Sequence, residues 1–163
     1  MIKTNFFSDW KIILYGTGTI ITALIMSQIG PAESLDAKFY YGFKEASDFM
    51  DSLSPKDIEE YLLNEFIDLG LIFFYSSFLY VAFSRLYHSA FIGIKYLALL
   101  PAIFDFIETK SIILILNQNI DPAVLNWLGF VTAAKWIFGA ACFVFFILGL
   151  LIRLKFFDFT KSS

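Results

Sequence analysis

Apolar residues gather into four long runs, about residues 12–29, 66–85, 91–116 and 124–152, parted by polar turns and one longer acidic stretch. An α-helix rises 1.5 Å per residue, so each run comes close to the roughly 20 residues that cross a hydrocarbon core of about 30 Å. The pattern predicts an all-α fold: a four-helix transmembrane bundle forming a single membrane domain over residues 1–163. Between the first two runs, in residues 37–65, Phe39, Phe43, Ala46, Met50 and Leu53 recur at helical spacing while Lys44, Glu45, Asp48 and Asp51 fall elsewhere. That spacing predicts an extracytoplasmic amphipathic helix lying on the membrane surface or across the bundle mouth; a solvated acidic loop is the alternative. Ser54-Pro55-Lys56-Asp57 then reads as a helix start, with Ser54 as N-cap and Pro55 in the first turn, and the new helix is expected to run unbroken into the second span.

Composition agrees with the pattern. The chain is 58% hydrophobic with a mean hydropathy of +0.70, against about 45 to 50% apolar residues in ordinary soluble domains. Orientation follows from the basic residues. Lys3, Lys11, Arg85, Lys95, Arg153, Lys155 and Lys161, seven of the twelve, fall on one side, whereas Lys38, Lys44, Lys56 and Lys110 fall on the other. Both termini are therefore expected in the cytoplasm of a bacterial inner-membrane protein. The outward segment 30–65 carries nine acidic residues against three Lys. A cleavable signal peptide competes for the first run, because Lys3 and Lys11 precede it and Gly30-Pro31-Ala32 offers a small-residue exit. No basic patch supports a nucleic-acid role. A single Cys142 and a single His88 offer no disulfide and no Cys/His metal site, and no cofactor is expected.

Candidate chemistry lies in the third run, which contains Asp105 and Glu108. An Asp at the centre of a membrane helix costs about 2.5 kcal/mol or more, so such residues are usually functional or paired. At 100° per residue Pro101, Asp105, Glu108 and Thr109 share one face, completed by Ala98 and Ile112, with Lys110 pointing away. Pro101 lacks an amide hydrogen, which predicts a kink and a Leu97 carbonyl in need of another donor. Counting from the outer boundary places Glu108 roughly 12 Å, Asp105 roughly 16 Å and Lys135 of the fourth span about 9 to 16 Å deep. Asp68 and Tyr75, seven residues apart on one face of the second span, are expected to wall the same cavity, Tyr75 at about the depth of Asp105 and Asp68 at the entrance, and Thr22 and Gln28 are the first span's candidates by depth. The ligand-binding set is thus Asp68, Tyr75, Asp105, Glu108, Thr109 and Lys135. Asp105, Glu108 and Lys135 are the candidate catalytic groups. The alternative is a staple in which the charges only fix helix register. Trp127 and Trp136 read as interface anchor and packing residue.

The order of these features resembles a group of uncharacterised small bacterial membrane proteins with four predicted helices. The matching residues are Tyr41 through Leu53, Tyr61, Asp68 and Tyr75, then Leu100-Pro101, Phe104-Asp105 and Glu108, then Lys135-Trp136. Thr109 stands where that group usually has Asn, and Ile72 where its second span often has Pro. The resemblance implies no particular activity.

Together these features predict an integral membrane protein with a buried polar cavity in the outer half of the bilayer, binding a lipid-like or small amphiphilic ligand or a proton. Two alternatives stay open: an accessory subunit of a membrane complex, meeting a partner or a second copy through the Gly/Thr face of the first span, and an intramembrane lipid-modifying or isomerase-type enzyme.

Overall fold

The computed structural model describes residues 9–29, 34–87, 93–118 and 121–159, with side chains through 153. His88, Lys3, Lys161 and the candidate leader exit at 30–32 lie outside the described residues, as does the side chain of Lys155. The fold is all-α: α1 (Trp10–Met26), α2 (Phe43–Ser52), α3 (Pro55–Leu86), α4 (Ile94–Leu97), α5 (Leu99–Leu116) and α6 (Leu125–Phe159), the last entered through a 3-10 turn at Pro122–Val124. Two helical stretches, Pro55–Leu86 and Pro122–Arg153, are long and apolar enough to cross a membrane.

Helix boundaries follow local chemistry. The Asp9 carboxylate accepts the Lys11 N–H, so α1 begins at Trp10 and not at residue 12, and it ends at Met26 and not at 29. Phe39 precedes α2 and is exposed, as is Phe43, whereas Ala46 is buried and Phe49, Met50 and Leu53 pack inward. The apolar face is therefore rotated toward Ala46, Phe49 and Met50, and it covers the ends of α3, α5 and α6 together with Tyr61, Ile112, Ile115, Leu125 and Leu128. Leu53 adopts an extended backbone and breaks the chain between α2 and α3. Ser54 and Asp57 then form a reciprocal capping box, from which α3 continues for 32 residues as one helix.

Ahead of Pro101 the helix is interrupted at Ala98, where α4 gives way to α5. The Leu97 carbonyl, which Pro101 cannot serve, accepts the Cys142 thiol of α6 at 3.5 Å. At the other end α6 extends to Phe159, past the residue 152 expected from the apolar run.

Side-chain pairs fix the directions. Asp9 binds Arg85, and Gly16 and Gly18 lie under Phe78 and Phe74, so α1 is antiparallel to α3. Thr109 meets Asp68 and Tyr75 meets Asp105, making α3 and α5 antiparallel; Leu97 with Cys142 and Phe104 with Phe138 do the same for α5 and α6. The close approach of α1 thus uses Gly16 and Gly18 against α3, where a Cβ at Gly18 would overlap the Phe74 ring.

Several polar and charged side chains are buried beside the apolar core, and many large apolar ones are exposed. Glu65, Asp68, Asp105, Glu108, Thr109 and Thr132 are buried, while Ile13, Ile20, Leu24, Phe130, Ile137, Phe143 and Leu151 are among the exposed large apolar side chains.

Candidate functional site

The buried face of α5 carries Ala98, Pro101, Asp105, Glu108, Thr109 and Ile112, the stripe that the 100° spacing defines, and Lys110 is exposed. Lys135 enters from α6. Its Nζ lies 2.6 Å from Glu108 Oε2 and 3.1 Å from Asp105 Oδ1, and it donates to the Asp36 carbonyl at 3.3 Å. The cation and both anions therefore share one level, as the depth arithmetic requires. Tyr75 donates to Asp105 Oδ2 at 3.0 Å, and Thr109 donates to Asp68 Oδ2 at 2.7 Å. All six sequence-derived residues are thus engaged, Tyr75, Asp105, Glu108 and Lys135 in one cluster and Thr109 with Asp68 in a pair beside it.

Their positions differ in access. Glu108 is 0% exposed and is held on several sides: Lys135 takes Oε2, while Thr132 and Tyr41 both donate to Oε1, Tyr41 at 3.3 Å. Thr109 faces Asp68 from behind. Asp68, Tyr75, Asp105 and Lys135 instead line a cavity of about 610 Å³, within the size range of small-molecule sites. Asp36 and Trp136 complete its polar end, and Leu79, Phe143 and Phe146 belong to the apolar floor that continues away from the charges. Thr22 and Gln28 are not part of the network: Thr22 returns a bond to the Gly18 carbonyl of its own helix, and Gln28 is exposed and bonds Ser27.

A roof built from residues 34–42 closes the polar end. Leu35 is fully buried and its amide donates to the Tyr61 hydroxyl at 3.2 Å; Trp136 Nε1 donates to the Lys38 carbonyl at 2.8 Å. Tyr41 crosses α6 at Gly129, where any Cβ would run into the Tyr41 carbonyl. Burial first, and then the negative charge of Glu108, hold the Tyr41 phenol well above its ordinary pKa, so it acts as a neutral donor.

Sequence reasoning passed over Asp36, Glu65 and Thr132 and knew Tyr41 only through the resemblance. Glu65 is 2% exposed and its Oε2 has no hydrogen-bond partner among the described residues; its electrostatic neighbours include Asp36, Asp68, Glu108 and Lys135. The available signal was periodic: Tyr61, Glu65, Asp68, Ile72 and Tyr75 repeat at three- and four-residue steps, so Glu65 belongs on the Asp68 face.

No protein-family model, curated protein or solved structure matches the chain.

Proposed function

We propose that this chain is an integral membrane protein, built on α1, α3, α5 and α6 as four spans with α2 and the 34–42 roof on the outer side, and that it binds a single-chain amphiphile in the cavity beside Asp105. The observation that carries the reading is the division of that cavity, with Asp36, Asp68, Tyr75, Asp105 and Lys135 at one end and an apolar floor beyond. From Lys135 to Phe146 the floor follows α6 for roughly 16 Å at 1.5 Å per residue, a length suited to one alkyl chain. Support for the membrane comes from the number of large apolar side chains left exposed on α1, α5 and α6, since extensive exposed apolar surface marks a membrane or protein contact. Arg85 and Lys11 sit at one end, and α2 and the first turns of α3, with Glu45, Asp48, Asp51, Asp57, Glu59 and Glu60, at the other, in keeping with cytoplasmic termini in a bacterial inner membrane.

Gly139 provides the test. It lines the cavity, and a Cβ there would meet no atom within 4 Å, so a side chain at this position starts in open space and Gly139→Phe puts a ring into the cavity. Lipid co-purifying with the wild-type protein and identified by mass spectrometry should be depleted from Gly139→Phe while the melting temperature is maintained. Equal lipid content in the two proteins would sink the proposal.

The completely buried Glu108, fixed by Lys135, Thr132 and Tyr41, favours a second reading: the charges staple the helices of an accessory subunit. Since Gly16 and Gly18 are occupied by α3, a partner or second copy would use the exposed Ile13, Ile20 and Leu24 side of α1. An enzymatic version places acid/base work on Asp105, which lines the cavity, with Lys135 as charge stabiliser and Glu108 behind both.

A further inference from the structure

The donors at the polar end of the cavity are already committed. Tyr75 gives its hydroxyl hydrogen to Asp105, and Trp136 gives its indole hydrogen to the Lys38 carbonyl. Lys135 has three ammonium hydrogens, and three oxygens lie around it: Asp105 Oδ1, Glu108 Oε2 and the Asp36 carbonyl. Acceptors, in contrast, are left over. Asp36 lines the cavity and its buried Oδ1 has no hydrogen-bond partner among the described residues. Asp68 lines it too, and takes its hydrogen bond from Thr109 through Oδ2. Behind this wall Glu65, 2% exposed, holds a second unpartnered carboxyl oxygen in the same electrostatic neighbourhood.

A ligand's polar group must complement what the wall offers, because a buried acceptor without a donor is costly. A carboxylate or phosphate head would face Asp36 and Asp68, and could be paired only by drawing Lys135 away from Asp105 or Glu108. A hydroxyl head supplies one hydrogen and no charge. An ammonium head supplies three hydrogens and one positive charge to a cavity lined by Asp36, Asp68 and Asp105, whose one lining ammonium, Lys135, is already paired with Asp105 and Glu108.

We propose that the cavity selects a single-chain amphiphile with a primary ammonium headgroup, seated against Asp36 and Asp68, with its alkyl chain along Gly139, Phe143 and Phe146. The proposal rests on the cavity being a binding site and adds the chemistry of its occupant. A free long-chain amine and a lyso-lipid bearing an ethanolamine head share the primary ammonium, and the lyso-lipid can seat it only with its phosphate held clear of Asp36 and Asp68.

The test uses the full chain in amphipol at pH 7, titrated with n-dodecylamine, dodecyltrimethylammonium, dodecanol and dodecanoic acid, with binding read by native mass spectrometry. Dodecylamine should bind at least about tenfold tighter than the other three, a difference of about 1.4 kcal/mol. The preference should fall to within about twofold in Asp36→Asn/Asp68→Asn. If the double variant does not fold, Asp36→Asn alone is read, since its Oδ1 forms no hydrogen bond that folding would lose. A lauroyl lyso-phosphatidylethanolamine arm names the source: tighter binding than dodecylamine points to a lipid, weaker binding to a free amine. Preference for the acid or alcohol, or an amine preference unchanged by the Asp variants, overturns the headgroup assignment. Equal binding of all four, abolished by Gly139→Phe, overturns the headgroup assignment and leaves the cavity reading standing. Absence of binding by any of them overturns both.

Discussion

The Cys142 thiol sits 3.5 Å from the Leu97 carbonyl, the one carbonyl that Pro101 deprives of its helical donor. The break between α4 and α5 is thereby bridged from α6. Cys142 is 1% exposed, so its role is set by this contact and its packing with Phe83 and Ala98. Cys142→Ala should destabilise the fold by about 1 to 2 kcal/mol through the lost bond and the small void. The same change in a Pro101→Ala background, where the residue 101 amide can serve Leu97, should cost less. A double-mutant cycle on chemical denaturation measures the difference, and strictly additive changes would refute the link.

Lys135 is the cation on which two buried carboxylates depend. Lys135→Met leaves Asp105 and Glu108 without their ion-pair partner and should cost about 3 to 5 kcal/mol, typical of a broken buried pair. Glu108→Gln in the same chain removes one of the stranded charges and should restore part of the loss. Glu108→Gln alone should destabilise more than Asp105→Asn, because Glu108 is completely buried and Asp105 borders the cavity. Unfolding midpoints of the four variants rank these effects.

Gly129 is required by the backbone of the roof. Gly129→Ala places a methyl group against the Tyr41 carbonyl, a contact that only movement of residues 34–42 or of α6 can relieve. Overpacking of this kind costs about 1 to 3 kcal/mol. Hydrogen exchange should quicken at the Leu35 amide, which is bound to the Tyr61 hydroxyl, and the fluorescence of Trp136 should change as its bond to Lys38 loosens.

Stability should fall at both extremes of pH for separate reasons. Burial and the Glu108 charge raise the Tyr41 phenol above its ordinary 10.0, so the folded protein keeps a proton that the unfolded chain releases. Its contribution is complete below pH 10 and is lost as the pH rises beyond that value. Tyr41→Phe should flatten that alkaline limb. Asp9 behaves oppositely. The Lys11 amide, with Arg85 beside it, holds its carboxyl below 3.8, so its contribution is present above that pH and disappears as the pH falls through the folded value. Asp9→Asn should remove the acid-dependent loosening of the α1 start, followed by exchange of the Lys11 amide.

The sequence alone determined what depends on spacing within one helix. The stripe from Ala98 through Asp105 and Glu108 to Ile112, the exposure of Lys110, the Ser54 cap and the freed Leu97 carbonyl all follow from 100° per residue and from the chemistry of Pro and Ser. The shared level of Lys135 with its two anions also followed, because opposite helices of known rise can be counted from a common boundary. Tertiary structure decided what depends on meetings between segments far apart in the chain. The roof joins Asp36 and Lys38 to α6 residues nearly a hundred positions away, through backbone carbonyls that carry no sequence signature. Thr132 and Tyr41 became partners of Glu108 only when α5, α6 and the roof were placed together. The cavity is likewise a property of packing: α1 docks along α3, with Ile12 against Ala82 at one end, while Met26 at the other end borders open space beside Gly139 and Phe143. Helical periodicity specifies which side of a helix is polar; only packing specifies whether that side meets a partner or an empty volume.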